Sequence, residues 1–140
     1  MSYDLMVFEP SSAPNSREEF MAWYGDQIKW EEDHGYQDHA VSSEALQNWF
    51  KEMIVYFPPL NGPLASDDVD DPKVTDHCIG KSVIYSAFSW PVAEEAHSKM
   101  RELAIKHSVG FFDVSADEGE ILFLGNFEAK EVGKLWWKFW

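Results

Sequence analysis

Residues 82–123 constrain the fold more than any other part of the chain, because they read as a strand, a helix and two further strands. The stretch 82–88 is uncharged, with β-branched, aromatic and small residues, which is typical of a strand buried on both faces. Pro91 follows, and proline is favoured at the first position of a helix. The stretches 109–115 and 120–124 are two more predicted strands, joined by a turn-rich segment.

The predicted helix after Pro91 carries charges that suit its dipole and an apolar stripe at helical spacing. Glu94 and Glu95 fall in its first turn, and Lys106 and His107 in its last. The stripe should pack on the sheet, so we predict one shared core. Its predicted members are Ile84, Phe88, Met100, Leu103, Phe111 and Ile121.

The residue pattern of the N-terminal half predicts one strand and two helices. Residues 3–8 form the strand. Ser16 and Glu19 form a capping box for a first helix that should end near Glu32. Ser42 or Ser43 caps a second helix, whose apolar residues keep helical spacing up to residue 57 before two prolines stop it.

The order of these elements predicts an α+β fold, a two-layer sandwich of three main helices on a mixed sheet of four or five strands. The connection from the strand at 82–88 to the strand at 109–115 fits a right-handed parallel crossover. Residues 78–80 open the central strand or pair beside it as a short hairpin. Residues 1–125 should form one domain.

The segment 126–140 is an amphipathic tail with apolar residues at helical spacing and lysines four residues apart. We expect a C-terminal helix docked on the domain. The alternatives are a basic segment that lies on a membrane surface, which the acidic remainder disfavours, and an appended disordered tail.

The charge of the chain is negative and unevenly distributed. The net charge is −14; residues 1–76 hold 16 Asp and Glu against 4 Lys and Arg, whereas residues 77–140 hold 9 against 7. Such a field repels nucleic acid and anionic lipid and attracts basic partners. Solubility alone would explain the total charge, but it does not require one half of the chain to carry it.

The chain is expected to be a cytoplasmic protein without a membrane span. Its apolar runs are shorter than the roughly 20 residues that a span needs, and its first residues lack the basic region of a signal peptide. The single cysteine, Cys78, cannot form an internal disulfide, as expected of a reducing compartment.

Motifs for catalysis and cofactor binding are absent from the sequence. Gly80-Lys81-Ser82 lacks the upstream glycine of a phosphate loop and precedes a strand instead of a helix. His77 and Cys78 are adjacent, so in a strand their side chains point to opposite faces. We therefore expect no catalytic residues, no cofactor and no enzymatic activity.

Two groups of potential metal ligands fit no known site. The aspartates from residue 68 begin like a calcium loop but lack the glycine at its sixth position. His34, Asp38 and His39 share one loop without the spacing of a zinc site. We expect no bound metal.

Two loops concentrate the negative charge: residues 30–39, the first acidic loop, and residues 67–76, the second acidic loop. Trp30 and Tyr36 either form an aromatic hot spot inside an acidic rim or fasten the first loop to the body. The length of the second loop has no evident structural purpose, so it is either a contact or a mobile, solvating segment. The predicted partner-binding residues are Trp30, Glu31, Glu32, Asp33, Tyr36, Asp38, Asp67, Asp68, Asp70, Asp71 and Asp76.

Three stretches resemble a family of small bacterial proteins: Tyr-Asp-Leu-Met-Val-Phe-Glu-Pro from residue 3, Ile-Tyr-Ser-Ala-Phe-Ser-Trp-Pro-Val-Ala from residue 84, and Val-Gly-Phe-Phe-Asp-Val-Ser from residue 109. The family is that of immunity proteins of polymorphic and contact-dependent growth inhibition toxins, and the resemblance covers about residues 1–124. It implies a non-enzymatic cytosolic inhibitor of one cognate toxin domain, often a basic nuclease.

The alternative function is a small enzyme or ligand-binding domain with a pocket between the sheet and the N-terminal helices. Asp76, His77, Tyr85 or Asp113 would line that pocket. A structural domain without a single partner is a third possibility.

Overall fold

The computed structural model describes residues 2–32, 35–36, 38–68, 70–116 and 119–123. Five strands form one sheet: β1 (Tyr3–Phe8), β2 (Asp76–Ile79), β3 (Val83–Phe88), β4 (Gly110–Phe112) and β5 (Ile121–Leu122). Three α-helices accompany it: α1 (Arg17–Gln27), α2 (Glu44–Tyr56) and α3 (Ala93–His107). The predicted tail at 126–140 and the end of the predicted domain at residue 125 lie outside the described residues.

The sheet has the order β2-β3-β1-β4-β5, and neighbouring strands are antiparallel at every pairing. The prediction of a mixed sheet is therefore wrong in this detail. β3 and β4 do run in the same direction, as a crossover through α3 requires, but β1 lies between them and pairs antiparallel with both. Of the two predicted arrangements for residues 78–80, the hairpin is confirmed, with β2 beside β3.

The larger core lies between the sheet and the layer formed by α2 and α3, which confirms the predicted α+β sandwich. Because side chains alternate along a strand, odd-numbered residues of β1 and even-numbered residues of β3 face these helices. The core includes Leu5, Val7, Ile84, Phe88 and Phe111 from the strands, and Trp49, Phe50, Met53, Met100 and Leu103 from the helices.

Helix α1 lies on the opposite face, over a smaller aromatic core. Its buried Phe20 ring contacts the rings of Phe8 and Phe112, with centroids 5.0 and 5.2 Å apart. Ile121 belongs to this side, not to the core predicted for it. It pairs with Phe112 across β4 and β5, and cross-strand partners share a face.

Helices α1 and α2 begin at predicted capping residues, but α1 ends earlier than predicted. The Ser16 side chain accepts a hydrogen bond from the Glu19 amide, and Ser43, not Ser42, caps α2. Helix α1 ends at Gln27, five residues before the predicted Glu32. Trp30 has a φ of 53°, a left-handed backbone that an α-helix cannot pass through.

Candidate partner-binding surface

Strand β2 forms one edge of the sheet, and each of its ends meets one of the acidic loops. At one end, the Ile79 amide donates to the Tyr36 carbonyl at 2.8 Å. At the other, the amide of Thr75, just before the strand, donates to the Pro58 carbonyl at 2.8 Å. A strand rises about 13 Å from residue 75 to residue 79. The two loops, which are far apart in sequence, therefore flank a single sheet edge.

The same hydrogen bonds protect much of this edge from pairing with another chain. The Thr75 carbonyl also accepts from the Leu60 amide at 2.9 Å. With residues 75 and 79 occupied on the outward side, only the backbone of His77 lies between them. An incoming strand needs a longer row of outward amides and carbonyls. A partner at this edge would therefore contact side chains of the two loops.

In the first acidic loop, Trp30 and Tyr36 fasten the chain to the body. The Trp30 ring contacts the rings of Tyr36 and Tyr85, at centroid distances of 5.2 and 6.3 Å. The Tyr36 hydroxyl accepts from the Glu32 amide at 2.6 Å. Both aromatic side chains are half-buried. These contacts are those expected of the alternative in which the two residues fasten the loop to the body.

The carboxylates of the first acidic loop divide into supporting and exposed groups. Glu32 is half-buried and accepts from the Lys81 amide at 3.1 Å, which joins the loop to the turn between β2 and β3. Asp38 is exposed and accepts from the Ala40 amide at 3.0 Å. Glu31 is exposed. The predicted contact Asp33 lies outside the described residues.

In the second acidic loop, Asp67, Asp68 and Asp70 are exposed and Asp71 is half-buried. Asp68 Oδ1 accepts from the Asp70 amide at 3.2 Å, and Asp71 Oδ1 accepts from the Lys73 amide at 2.9 Å. The Lys73 ammonium turns away and pairs with Glu95 of α3 at 2.7 Å. The aspartates therefore form a negative surface that the loop's own lysine does not neutralise.

Asp76 begins β2 with an exposed side chain on the face opposite to that of His77. Cys78 shares the face of Asp76. Burial, and to a smaller extent the charge of Asp76, raises the pKa of the Cys78 thiol to about 11. Cys78 therefore remains a neutral thiol near neutral pH, which agrees with a structural role.

The four residues of the alternative pocket do not converge. Asp76 and Tyr85 lie on the α1 face of the sheet, where the Tyr85 hydroxyl donates to Asp4 at 2.6 Å. His77 and Asp113 lie toward α2 and α3, but two strands separate β2 from β4. Asp113 pairs with His97 of α3 at 3.6 Å. The described part of the chain thus assembles no catalytic group from these residues.

His77 is buried between α2 and the sheet as a neutral side chain. Its Nδ1 lies 2.7 Å from the Ser86 hydroxyl, and its Nε2 lies 3.1 Å from the Phe57 carbonyl. The carbonyl can only accept, so Nε2 carries the proton and Nδ1 accepts from Ser86. Burial lowers the pKa of His77 from 6.5 to about 4.

Replacing His77 with Gln should change how stability depends on pH. Between pH 6.5 and pH 4 the unfolded chain binds a proton that folded His77 does not, so the parent loses about 3 kcal/mol across this range. Glutamine does not titrate, so the H77Q variant lacks this loss. The measurement is urea unfolding of both proteins at several pH values. Parallel stability curves for the two proteins would contradict the assignment.

Other features of the described residues offer no second site. An open depression of about 550 Å³ lies on α3, not between the sheet and the N-terminal helices, and is lined by His97, Ser98, Arg101, Glu102 and Ile105. Within the described ranges, no three His, Cys, Asp or Glu side chains are grouped to hold a metal ion. Among the helices described, none has the length and apolar character needed to cross a membrane.

Sequence reasoning missed two exposed leucines beside the second acidic loop. Leu60 and Leu64 expose 42% and 46% of their surface. They follow the prolines after α2 and match no helix or strand period. Their position in a segment rich in Pro, Gly and Asn was the available signal, because a leucine in such a turn has no core face to occupy.

Comparison of the chain with known proteins found no matching family model, no matching curated protein and no matching solved structure. The function proposed below therefore rests on the two acidic loops at the ends of β2.

Proposed function

We propose that this protein is a bacterial immunity protein, which binds and neutralises a cognate toxin domain with a basic, nuclease-type active site. It acts in the cytoplasm as a non-enzymatic inhibitor. In this role it needs no metal or small-molecule cofactor and binds neither nucleic acid nor membrane. Its partner is one protein, recognised through the acidic surface.

The observation that carries the proposal is that both acidic loops flank one sheet edge. A solubilising charge can be spread over any part of a surface, whereas these two loops meet the two ends of one strand. Glu31, Asp67, Asp68, Asp70 and Asp76 of the two loops are exposed. The resemblance of residues 1–124 to immunity proteins supports the same role.

The inhibitor would act by occupying the cleft that binds the phosphates of RNA or DNA. Carboxylates of the two loops would present negative charge to lysines and arginines that normally contact a nucleic acid backbone. Opposite fields also steer the two proteins together and raise the association rate.

The test is binding to the toxin domain encoded directly upstream of the protein's own gene, measured by isothermal titration calorimetry. We expect such a domain to be present and to form a one-to-one complex. A basic nuclease domain from an unrelated toxin is the control and should bind much more weakly. The absence of a neighbouring toxin gene, or of any complex with the toxin domain, would contradict the proposal.

A further inference from the structure

The segment between α2 and the second acidic loop forms a closed loop, residues 60–65, which exposes two leucines. The Ser66 amide donates to the Pro59 carbonyl at 2.9 Å and closes it, and the Ala65 amide donates to the Gly62 carbonyl at 3.1 Å inside it. Gly62 has a φ of 95°, which favours glycine. Leu60 and Leu64 therefore project from one short, hydrogen-bonded loop.

Neither exposed leucine belongs to the two buried cores of the described residues. The principal apolar side chains of α2 and the sheet are fully buried, with Trp49, Met53 and Phe57 at 0% exposure. The core thus closes without Leu60 and Leu64. Leu60 and Leu64 expose apolar surface beside the polar residues of the second acidic loop, and exposed apolar surface rimmed by polar residues marks protein-binding sites.

The acidic run continues directly from this closed loop and shares its hydrogen bonds. The Ser66 hydroxyl accepts from the Asp68 amide at 3.1 Å, and the Asp68 carbonyl accepts from the Asp71 amide at 3.3 Å. Further along, the Ser89 hydroxyl donates to the Pro72 carbonyl at 2.8 Å, which fastens this segment beside α3. These hydrogen bonds thus link the closed loop to the described aspartates that follow it.

We infer that Leu60 and Leu64 are the apolar anchors of the interface with the basic toxin domain, and that Asp67, Asp68 and Asp70 form its acidic rim. This inference rests on the proposed function and names the part of the surface that determines affinity. Apolar anchors at the centre of an interface mainly set the dissociation rate, whereas exposed rim charges mainly set the association rate. The partner should therefore present an apolar patch bordered by Lys or Arg.

The test compares Leu60→Ala and Leu64→Ala with the control Val55→Ala, which truncates an apolar side chain that is 73% exposed on α2. Binding to the toxin domain is followed by surface plasmon resonance, and folding is verified by circular dichroism. We expect each leucine variant to dissociate about tenfold faster or more, with an unchanged association rate and salt dependence. The control should match the parent.

The outcomes separate this inference from the proposed function. If the parent binds the toxin domain and both leucine variants bind equally well, the anchors are wrong and the proposed function stands. If the parent does not bind, both are wrong. Analytical ultracentrifugation of the protein alone tests whether a second copy of the chain, instead of the toxin domain, binds to the two leucines. A parent dimer that becomes monomeric in the leucine variants would overturn the inference in favour of self-association.

Discussion

Reversing the charge of the second acidic loop weakens toxin binding by about 100-fold or more, because attraction to the basic cleft becomes repulsion. The variant carries lysine at Asp67, Asp68, Asp70 and Asp71. These side chains are exposed or half-buried and bond within their own loop, so the fold should tolerate the change. The measurement is the dissociation constant by isothermal titration calorimetry, with folding verified by circular dichroism.

A second variant changes the net charge by the same amount, but at positions outside the second acidic loop. Lysine at Glu18, Asp26, Glu44 and Glu102 replaces four exposed carboxylates on the helices, outside the second acidic loop. If net charge alone attracts the toxin, both variants weaken binding alike. We expect a much smaller loss of affinity in this control.

Lysine at Glu31 alone tests the first acidic loop. This variant should lower the association rate, and its effect on the dissociation rate should be smaller.

Replacing Leu103 with Ala lowers the free energy of unfolding by about 2–5 kcal/mol, through lost burial and the cavity left behind. Leu103 is 2% exposed and belongs to the core between α3 and the sheet. Denaturation in urea measures the change. The matched control is Ile105→Ala on the same helix, where the side chain is 47% exposed and the cost should stay near 0.5 kcal/mol or below, about the size usual for surface positions. Equal costs at the two positions would show that the burial of this helix is misassigned.

Local patterns in the sequence were sufficient for most elements of the fold. The capping serines and the apolar spacing predicted where α1 and α2 begin, and the apolar stripe predicted the buried face of α3. These signals are local, because a cap or a stripe depends on residues within a few positions. The end of α1 was missed because Trp30 leaves the helix to contact Tyr36 and Tyr85, and Tyr85 is distant in sequence.

Strand order and the face of Ile121 could not be read from local patterns. The sheet is antiparallel because β1, the first strand in sequence, inserts between β3 and β4. The face of Ile121 depends on register: it pairs with Phe112, and a shift of one residue would place it on the other side. Strand order depends on pairing between distant segments and the face of Ile121 on the register of neighbouring strands, and periodicity encodes neither.

For the candidate surface, the sequence identified the charged loops but not their arrangement. Composition located the aspartates, whereas only the hydrogen bond between Ile79 and Tyr36 shows that the first loop meets the end of β2 opposite to the second loop. The contacts that fasten Trp30 and Tyr36 to the body could likewise be seen only in the structure. Leu60 and Leu64 were overlooked because their exposure depends on how the neighbouring core closes.

The most direct test of the central claim is the association rate of the parent protein with its toxin domain as ionic strength rises. Salt screens interactions beyond a Debye length, which falls from about 10 Å at 0.1 M to about 3 Å at 1 M. If the acidic loops steer and contact a basic cleft, the association rate constant falls steeply over this range while the dissociation rate changes little. An association rate that is independent of salt would contradict the account, because the acidic surface would then take no part in recognition.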